Sequence, residues 1–102
     1  MTMHQPAHAG EILRYDILEP LGITLSEAAS KLGISRKTLS KICNAKGSIT
    51  PDMAVRLELA LGKPSAKHWL KLQTAYDLAK ANQNRDVLRN QVYLFRSSEK
   101  SI

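Results

Sequence analysis

With a single cysteine, Cys43, the chain can form no internal disulfide and can build none of the cysteine-rich zinc sites. Histidine is scarce too, and His4, His8 and His68 are not spaced as a metal pair, so no metal is expected. No HExxH, glycine-rich phosphate loop or nucleophile elbow occurs. The nearby pairs Asp16/Glu19 and Glu27/Lys31 read as surface charge rather than acid–base apparatus. Neither a cofactor nor a catalytic residue is therefore expected, and the chain does not read as an enzyme. Long apolar runs are missing as well: nothing approaches the roughly 20 uncharged residues a spanning helix needs, and Met1–Gly10 has neither a basic start nor an apolar stretch. The expectation is a soluble, cytoplasmic protein with no membrane partner.

Acid is the other shortage. Nine Asp and Glu face fifteen Lys and Arg, for a net charge of +6 and a pI near 9.7, which favours a polyanion as partner. The distribution says more than the total, because Ala28 to Pro51 holds Lys31, Arg36, Lys37, Lys41 and Lys46 and no acid. On charge alone that stretch fits either a polyanion-binding face or a merely solvated one. What is present in ordinary amounts is apolar surface: 102 residues, 43% hydrophobic and 24% charged, suit one domain with one core.

Capping signals divide the chain into helix-sized pieces. The first runs from about Ala9 to Glu19, with Ile12, Leu13 and Ile17 as its stripe, and Pro20 and Gly22 are expected to end it. Thr24-Leu25-Ser26-Glu27 reads as a capping box, with the Thr hydroxyl accepting from the Glu27 N–H and the carboxylate reaching back. Leu25, Ala28, Ala29 and Leu32 continue as a single stripe until Gly33. A third helix starts after Ser35 and reaches about Asn44. Thr50-Pro51-Asp52 supplies an N-cap, a proline at N1 and a carboxylate at the positive end of a fourth helix, which stops at Gly62. A fifth follows Lys63-Pro64-Ser65 and extends to Asn82. From Gln83 the pattern weakens; Gln91–Phe95 has strand-like composition and Arg96–Ile102 reads as a loose tail.

Two short helices joined by a glycine-containing turn, in a basic stretch, have the layout of a helix-turn-helix over residues 24–44. The third helix strengthens this. At about 100° per residue from Arg36, Ser40 falls near 40°, Asn44 near 80°, Lys37 near 100° and Lys41 near 140°, whereas Ile42, Leu39 and Cys43 cluster near 240–340°. One face is apolar and the other carries cations, a hydroxyl and an amide, as a helix in the major groove requires. Arg pairs with guanine O6 and N7, and Asn with adenine, so the polar face can read base edges. The expected DNA-binding set is Thr24, Ser26, Ser35, Arg36, Lys37, Thr38, Ser40, Lys41, Asn44 and Lys46, with Ser48 as a further phosphate contact and the caps serving both roles. Cys43 reads as a small buried hydrophobe.

The residues HAGEIL, ITLSEAASKLGISRKTLSKICNAKGSITPDMAVRLELALG and HWLKLQTAYDL, spanning His8–Leu78, closely resemble the HigA or VapI antitoxins of the Cro-repressor type. The resemblance covers roughly four-fifths of the chain, and the pair ITPDMAVRLELALG with WLKLQTAYDL is far more specific than a generic helix-turn-helix. It implies an all-α, five-helix lambda-repressor-like domain over residues 8–82 and a short C-terminal extension over 83–102. It further implies autorepression of the operon and neutralisation of a toxin resembling RelE-type mRNA endonucleases. Two departures stand out: the usual His-Pro-Gly-Glu opening is His8-Ala9-Gly10-Glu11, and the glycine common after the third helix is Ala45, leaving Asn44 or Lys46-Gly47 to supply a left-handed cap.

Partners follow from the same reading. A homodimer on double-stranded palindromic operator DNA is expected, since one recognition helix offers few base contacts. Its seam is expected at Trp69, Tyr76, Val92, Tyr93, Leu94 and Phe95, with core packing the alternative for Trp69. A cognate toxin would meet Glu11, Asp16 and Glu19, three acids within nine residues that suit a basic partner, unless they simply solvate a surface helix. The alternatives are a stand-alone repressor, or an interaction module whose basic face meets an acidic protein.

Overall fold

The computed structural model describes residues 5–95, and all regular structure among them is helical. Helix α1 passes through three consecutive stretches, Ala9–Ile12, Leu13–Leu18 and Glu19–Leu21. It is followed by α2 (Leu25–Leu32), α3 (Arg36–Cys43), α4 (Pro51–Leu61), α5 (Ala66–Gln83) and α6 (Arg85–Arg89). The expected five helices are present, and α6 adds a short sixth in the extension. None of them is long and apolar enough to cross a membrane.

Side-chain caps set the starts. Thr24, Ser35, Thr50 and Ser65 each accept from the backbone N–H three residues on, in extended conformation. His8 caps α1 through Nδ1, which accepts from Gly10 N, two residues on, at 2.8 Å. The return half of the Thr24 box is not made: Glu27 stays exposed, where water meets its carboxylate's needs at no cost.

Pro20 does not end α1. A proline in a helix clashes with the carbonyl four residues back and removes a bond there. Here the middle stretch widens to π geometry, with Glu19 N bonding Arg14 O five residues back, and the chain continues through Pro20 to Leu21. The turn at Gly22 ends the helix instead.

A core of α1 to α4 residues closes around Trp69 from α5, with Leu13, Leu39, Leu57 and Trp69 all 1% exposed or less. Trp69 is therefore core, and the seam assigned to it is withdrawn. Its indole N–H finds no partner among the described residues. Tyr76 is half-buried, its ring edge-on to His8 at 4.8 Å. Gln91–Phe95 forms no strand, because no second extended segment lies beside it to accept a ladder among the described residues. Every residue from Ala81 to Phe95 is exposed, and the structure is 58 Å long but only 23 Å across its narrowest dimension. The end of α5 and α6 thus stand away from the core. The expected loose tail at Arg96–Ile102 lies outside the described residues.

Candidate nucleic-acid interface

Packing of α2 against α3 depends on a turn of three residues. Gly33 takes φ 72°, a conformation that a side chain disfavours, and Ile34 N then reaches back to Ala29 O at 3.1 Å. Ser35 follows at once as the cap of α3: its hydroxyl accepts from Thr38 N at 3.0 Å and donates to Thr38 Oγ1 at 2.8 Å. The turn is short because one helix's end and the next helix's start share it.

On α3 the division into faces is complete. Leu39, Ile42 and Cys43 are buried, while Arg36, Lys37, Thr38, Lys41 and Asn44 are exposed and Ser40 is half-buried. Thr24, Ser26, Ser35, Lys46 and Ser48 are exposed around the same unit. No acid lies on α3, so the exposed face is wholly cationic or neutral. Burial pushes the Cys43 thiol above the usual range, with a smaller opposing effect from the Arg14 charge. That disfavours the thiolate and leaves Cys43 a packing residue.

Three contacts hold α3 in place, and the sequence reading missed each of them. Gly10 of α1 lies directly against the backbone of Ile42: a Cβ added there would sit 2.6 Å from its carbonyl carbon. Arg14, also on α1, donates from a terminal guanidinium nitrogen to Asn44 Oδ1 at 2.8 Å, and Asn44 Nδ2 donates to Ser40 Oγ at 3.3 Å. Asn44, expected to read adenine, thus has one lone pair of Oδ1 and one hydrogen of Nδ2 engaged as a brace, and paired bonds to a base would use the remaining ones. Arg56 of α4 reaches the turn, donating to Leu32 O at 2.9 Å and Gly33 O at 3.3 Å while Asp52 accepts from its Nε at 2.8 Å. A cation at those carbonyls also meets the negative end of the α2 dipole. Only Gly10 carried a local signal for any of these, as part of the His8-Ala9-Gly10-Glu11 motif.

Beyond α3, Ala45 itself takes the left-handed conformation at φ 60°, and Lys46 N bonds Lys41 O at 2.8 Å. Neither Asn44 nor Lys46-Gly47 takes the left-handed position; Ala45 does, and its Cβ bears the strain while the Lys46 N–H makes the closing bond. Buried Gln73 of α5 then fixes the chain before α4, its Oε1 accepting from Ile49 N at 2.8 Å.

Glu11 is half-buried, Asp16 and Glu19 are exposed, and Glu19 lies 3.6 Å from Arg14 Nε. No group of three His, Cys, Asp or Glu residues among the described residues could hold a metal ion.

Comparison with known proteins converges on this unit. The helix-turn-helix family model HTH_3 matches residues 15–68. Virulence-associated protein A of Dichelobacter nodosus is 46% identical over 80 residues, 78% of each chain. Antitoxin HigA-1 of Vibrio cholerae is 39% identical over 77 residues, 76% of this chain and 71% of its own. Among solved structures, a Pseudomonas aeruginosa antitoxin HigA with higBA promoter superposes at a TM-score of 0.77 and 33% identity, covering 89% of this chain and 99% of that one.

Proposed function

Because the chain belongs to the HigA/VapI-type antitoxins of the Cro-repressor-like helix-turn-helix family, we propose that it binds a palindromic operator, represses its own operon and neutralises a RelE-type mRNA-endonuclease toxin. The observation that carries the DNA-binding part is α3, whose apolar side is wholly buried and whose outer side offers Arg36, Lys37 and Lys41 without an acid. A relative of the same fold has been solved with promoter DNA. In this reading Arg36 reads a base edge, Lys37 and Lys41 flank it, and Thr24, Ser26, Ser35, Thr38, Ser40 and Lys46 hold phosphates and set register. Asn44 acts through its brace to Ser40.

The DNA would be read by a homodimer, placing two α3 helices about 34 Å apart. What supports this is exposed apolar surface: Leu78, Leu88, Val92, Tyr93, Leu94 and Phe95 are between 42% and 109% exposed, on the part of the chain that stands off the core. A monomer rarely leaves such a contiguous group uncovered. Toxin is assigned to the α1 face bearing Glu11, Asp16 and Glu19, which leaves α3 free for DNA.

Selection from a randomised duplex library tests the central claim. A palindrome preferred over mixed-sequence DNA by at least about a thousand-fold at physiological salt is expected; no preference refutes it. Against single-base variants of that palindrome, Arg36→Ala should cost about 1–3 kcal/mol and lose discrimination at one position, whereas equal losses everywhere reduce Arg36 to a phosphate contact. Light scattering of the full chain and of a form lacking residues 83–102 tests the dimer, and a monomeric full chain refutes it. Reversing Glu11, Asp16 and Glu19 to Lys should abolish binding of the protein encoded by the adjacent gene while sparing operator binding; retained binding places the toxin elsewhere.

A further inference from the structure

Between the loop that follows α3 and the outer side of α5 lies a polar notch of about 280 Å³, its lining including Lys46, Gly47, Ser48, Tyr76, Asp77 and Lys80. We infer that this notch holds a phosphate of the DNA backbone, and that Lys80 of α5 is a DNA contact outside the helix-turn-helix. The inference rests on the reading of the chain as a DNA-binding protein.

Charge and placement both favour it. Lys46 and Lys80 stand on opposite walls, both exposed, and neither forms an ion pair among the described residues. Lys80 Nζ sits 5.7 Å above the Tyr76 ring, a position that holds the ammonium over the notch rather than free in solvent. The one acid present, Asp77, has an oxygen occupied by Gln73 Nε2 at 3.0 Å. The Ser48 hydroxyl adds a neutral donor. A tetrahedral phosphodiester is held by point charges and hydroxyls as well as by the planar fork of arginine, and two lysines with a serine provide the former.

The notch is also fixed relative to the reading face. Lys46 N and Gly47 N both bond Lys41 O, at 2.8 and 3.1 Å, so the loop is an extension of α3 rather than a free tether. Gln73 holds the next stretch of chain to α5 through Ile49. A strand whose bases meet Lys41 would therefore run its backbone past Lys46, and Lys80 faces the same phosphate from the other side. Nothing in the sequence signals this, because Lys80 is 34 positions from Lys46 and lies on a helix with no marked basic face.

Salt dependence separates a phosphate contact from a general charge effect. Binding of the full chain to a mixed-sequence duplex and to the selected palindrome is measured across a salt series. For Lys80→Ala the slope of log K against log salt should fall by about 0.9 per bound protomer on both duplexes, since each phosphate contact releases condensed counterions. Lys80→Arg should restore it. Lys67→Ala is the control: Lys67 points about 140° away around α5, lines a different groove, and should leave the slope unchanged. An unchanged slope for Lys80→Ala, or an equal fall for Lys67→Ala, overturns the inference. Failure of the unaltered chain to bind either duplex would instead overturn the DNA-binding reading itself. Circular dichroism confirms that each variant is folded, which an exposed lysine permits.

Discussion

Replacing Gly10 by alanine adds one methyl group where α1 crosses α3, and the structure allows its cost to be worked out. The new Cβ would lie 2.6 Å from the Ile42 carbonyl carbon and 2.9 Å from Ile42 Cγ2. The Ile42 carbonyl oxygen lies nearer still, and carbon atoms in ordinary contact sit about 3.5–4.0 Å apart, so the helices must separate by more than about 1 Å. Overpacking a core usually costs about 1–3 kcal/mol, and the obstacle here is helix backbone, which cannot rotate away as a side chain can. The upper end applies. Against it stands the better helix propensity of alanine, about 0.5–1 kcal/mol. A net loss of about 2 kcal/mol remains, equivalent to a fall in Tm of roughly 10 °C for a domain of this size.

Thermal unfolding followed by circular dichroism is the assay, with operator affinity measured alongside. Affinity should fall as well, because moving α1 also moves Arg14, which braces Asn44 at the end of α3. Adding Ile42→Ala should not rescue the variant, since it removes Cγ2 but leaves the carbonyl. A Tm equal to or above that of the unaltered chain would refute the reasoning, as it would mean that propensity alone decides and the crossing is looser than described.

Other perturbations follow from the same geometry. Ala45→Gly should stabilise by about 0.5–1 kcal/mol, the relief of a left-handed residue less the extra chain entropy of glycine, and a denaturant midpoint that fails to rise contradicts the cap described here. Arg56→Met keeps an unbranched apolar stem but strands the Leu32 carbonyl, so a loss of about 1–2 kcal/mol is expected after allowing for solvent at the half-exposed guanidinium; a change under about 0.3 kcal/mol would show the brace to be idle. Burial raises the Cys43 thiol's pKa, so below the ordinary thiol range both states keep the proton and stability is unaffected; above about pH 8.5 the unfolded chain ionises first and stability falls until the folded value is passed. In reducing buffer the Tm of the unaltered chain should therefore drop relative to that of Cys43→Ala between roughly pH 8 and 10, and parallel curves would contradict the burial.

What was legible in the sequence is what is encoded within a few residues. Thr24, Ser35, Thr50 and Ser65 each bond an N–H three positions on, so local chemistry announces every one of these starts. The faces of α3 follow from periodicity alone. Pro20 misled because its penalty is also local, whereas its remedy, five-residue spacing in the preceding turns, is a choice of the whole helix. Trp69 misled for a different reason: periodicity gives a stripe but not which partner covers it, and in a core with so few large side chains the Trp was needed inside. The Arg14–Asn44 and Arg56–Leu32 bonds join residues 30 and 24 positions apart, and no pattern read along the chain marks such pairs.

Those invisible contacts bear on how so short a helix can serve as a reader. An isolated helix of under about 12 residues is marginal in water, and α3 has eight. Its conformation must come from its neighbours, and they hold it at both ends: Arg56 fixes the turn before it, while Gly10 lets α1 press against Ile42 in its last turn and Arg14 holds Asn44 at its end. Ordering a mobile segment at the moment of binding subtracts from affinity, typically about 0.5–1.5 kcal/mol for each side chain immobilised, so a helix already fixed leaves more of each base contact available for discrimination. The same braces tie α3 to α1 and α4 as one body. A partner seated on the acidic side of α1 would then meet Glu19, which neighbours Arg14, so it could alter the Asn44 brace without touching DNA. Arg14→Gln separates these roles: it should leave the toxin surface intact while weakening operator discrimination on the Ser40 side of the palindrome half-site, and an unaltered discrimination profile would show that α3 needs no support from α1 to read its sequence.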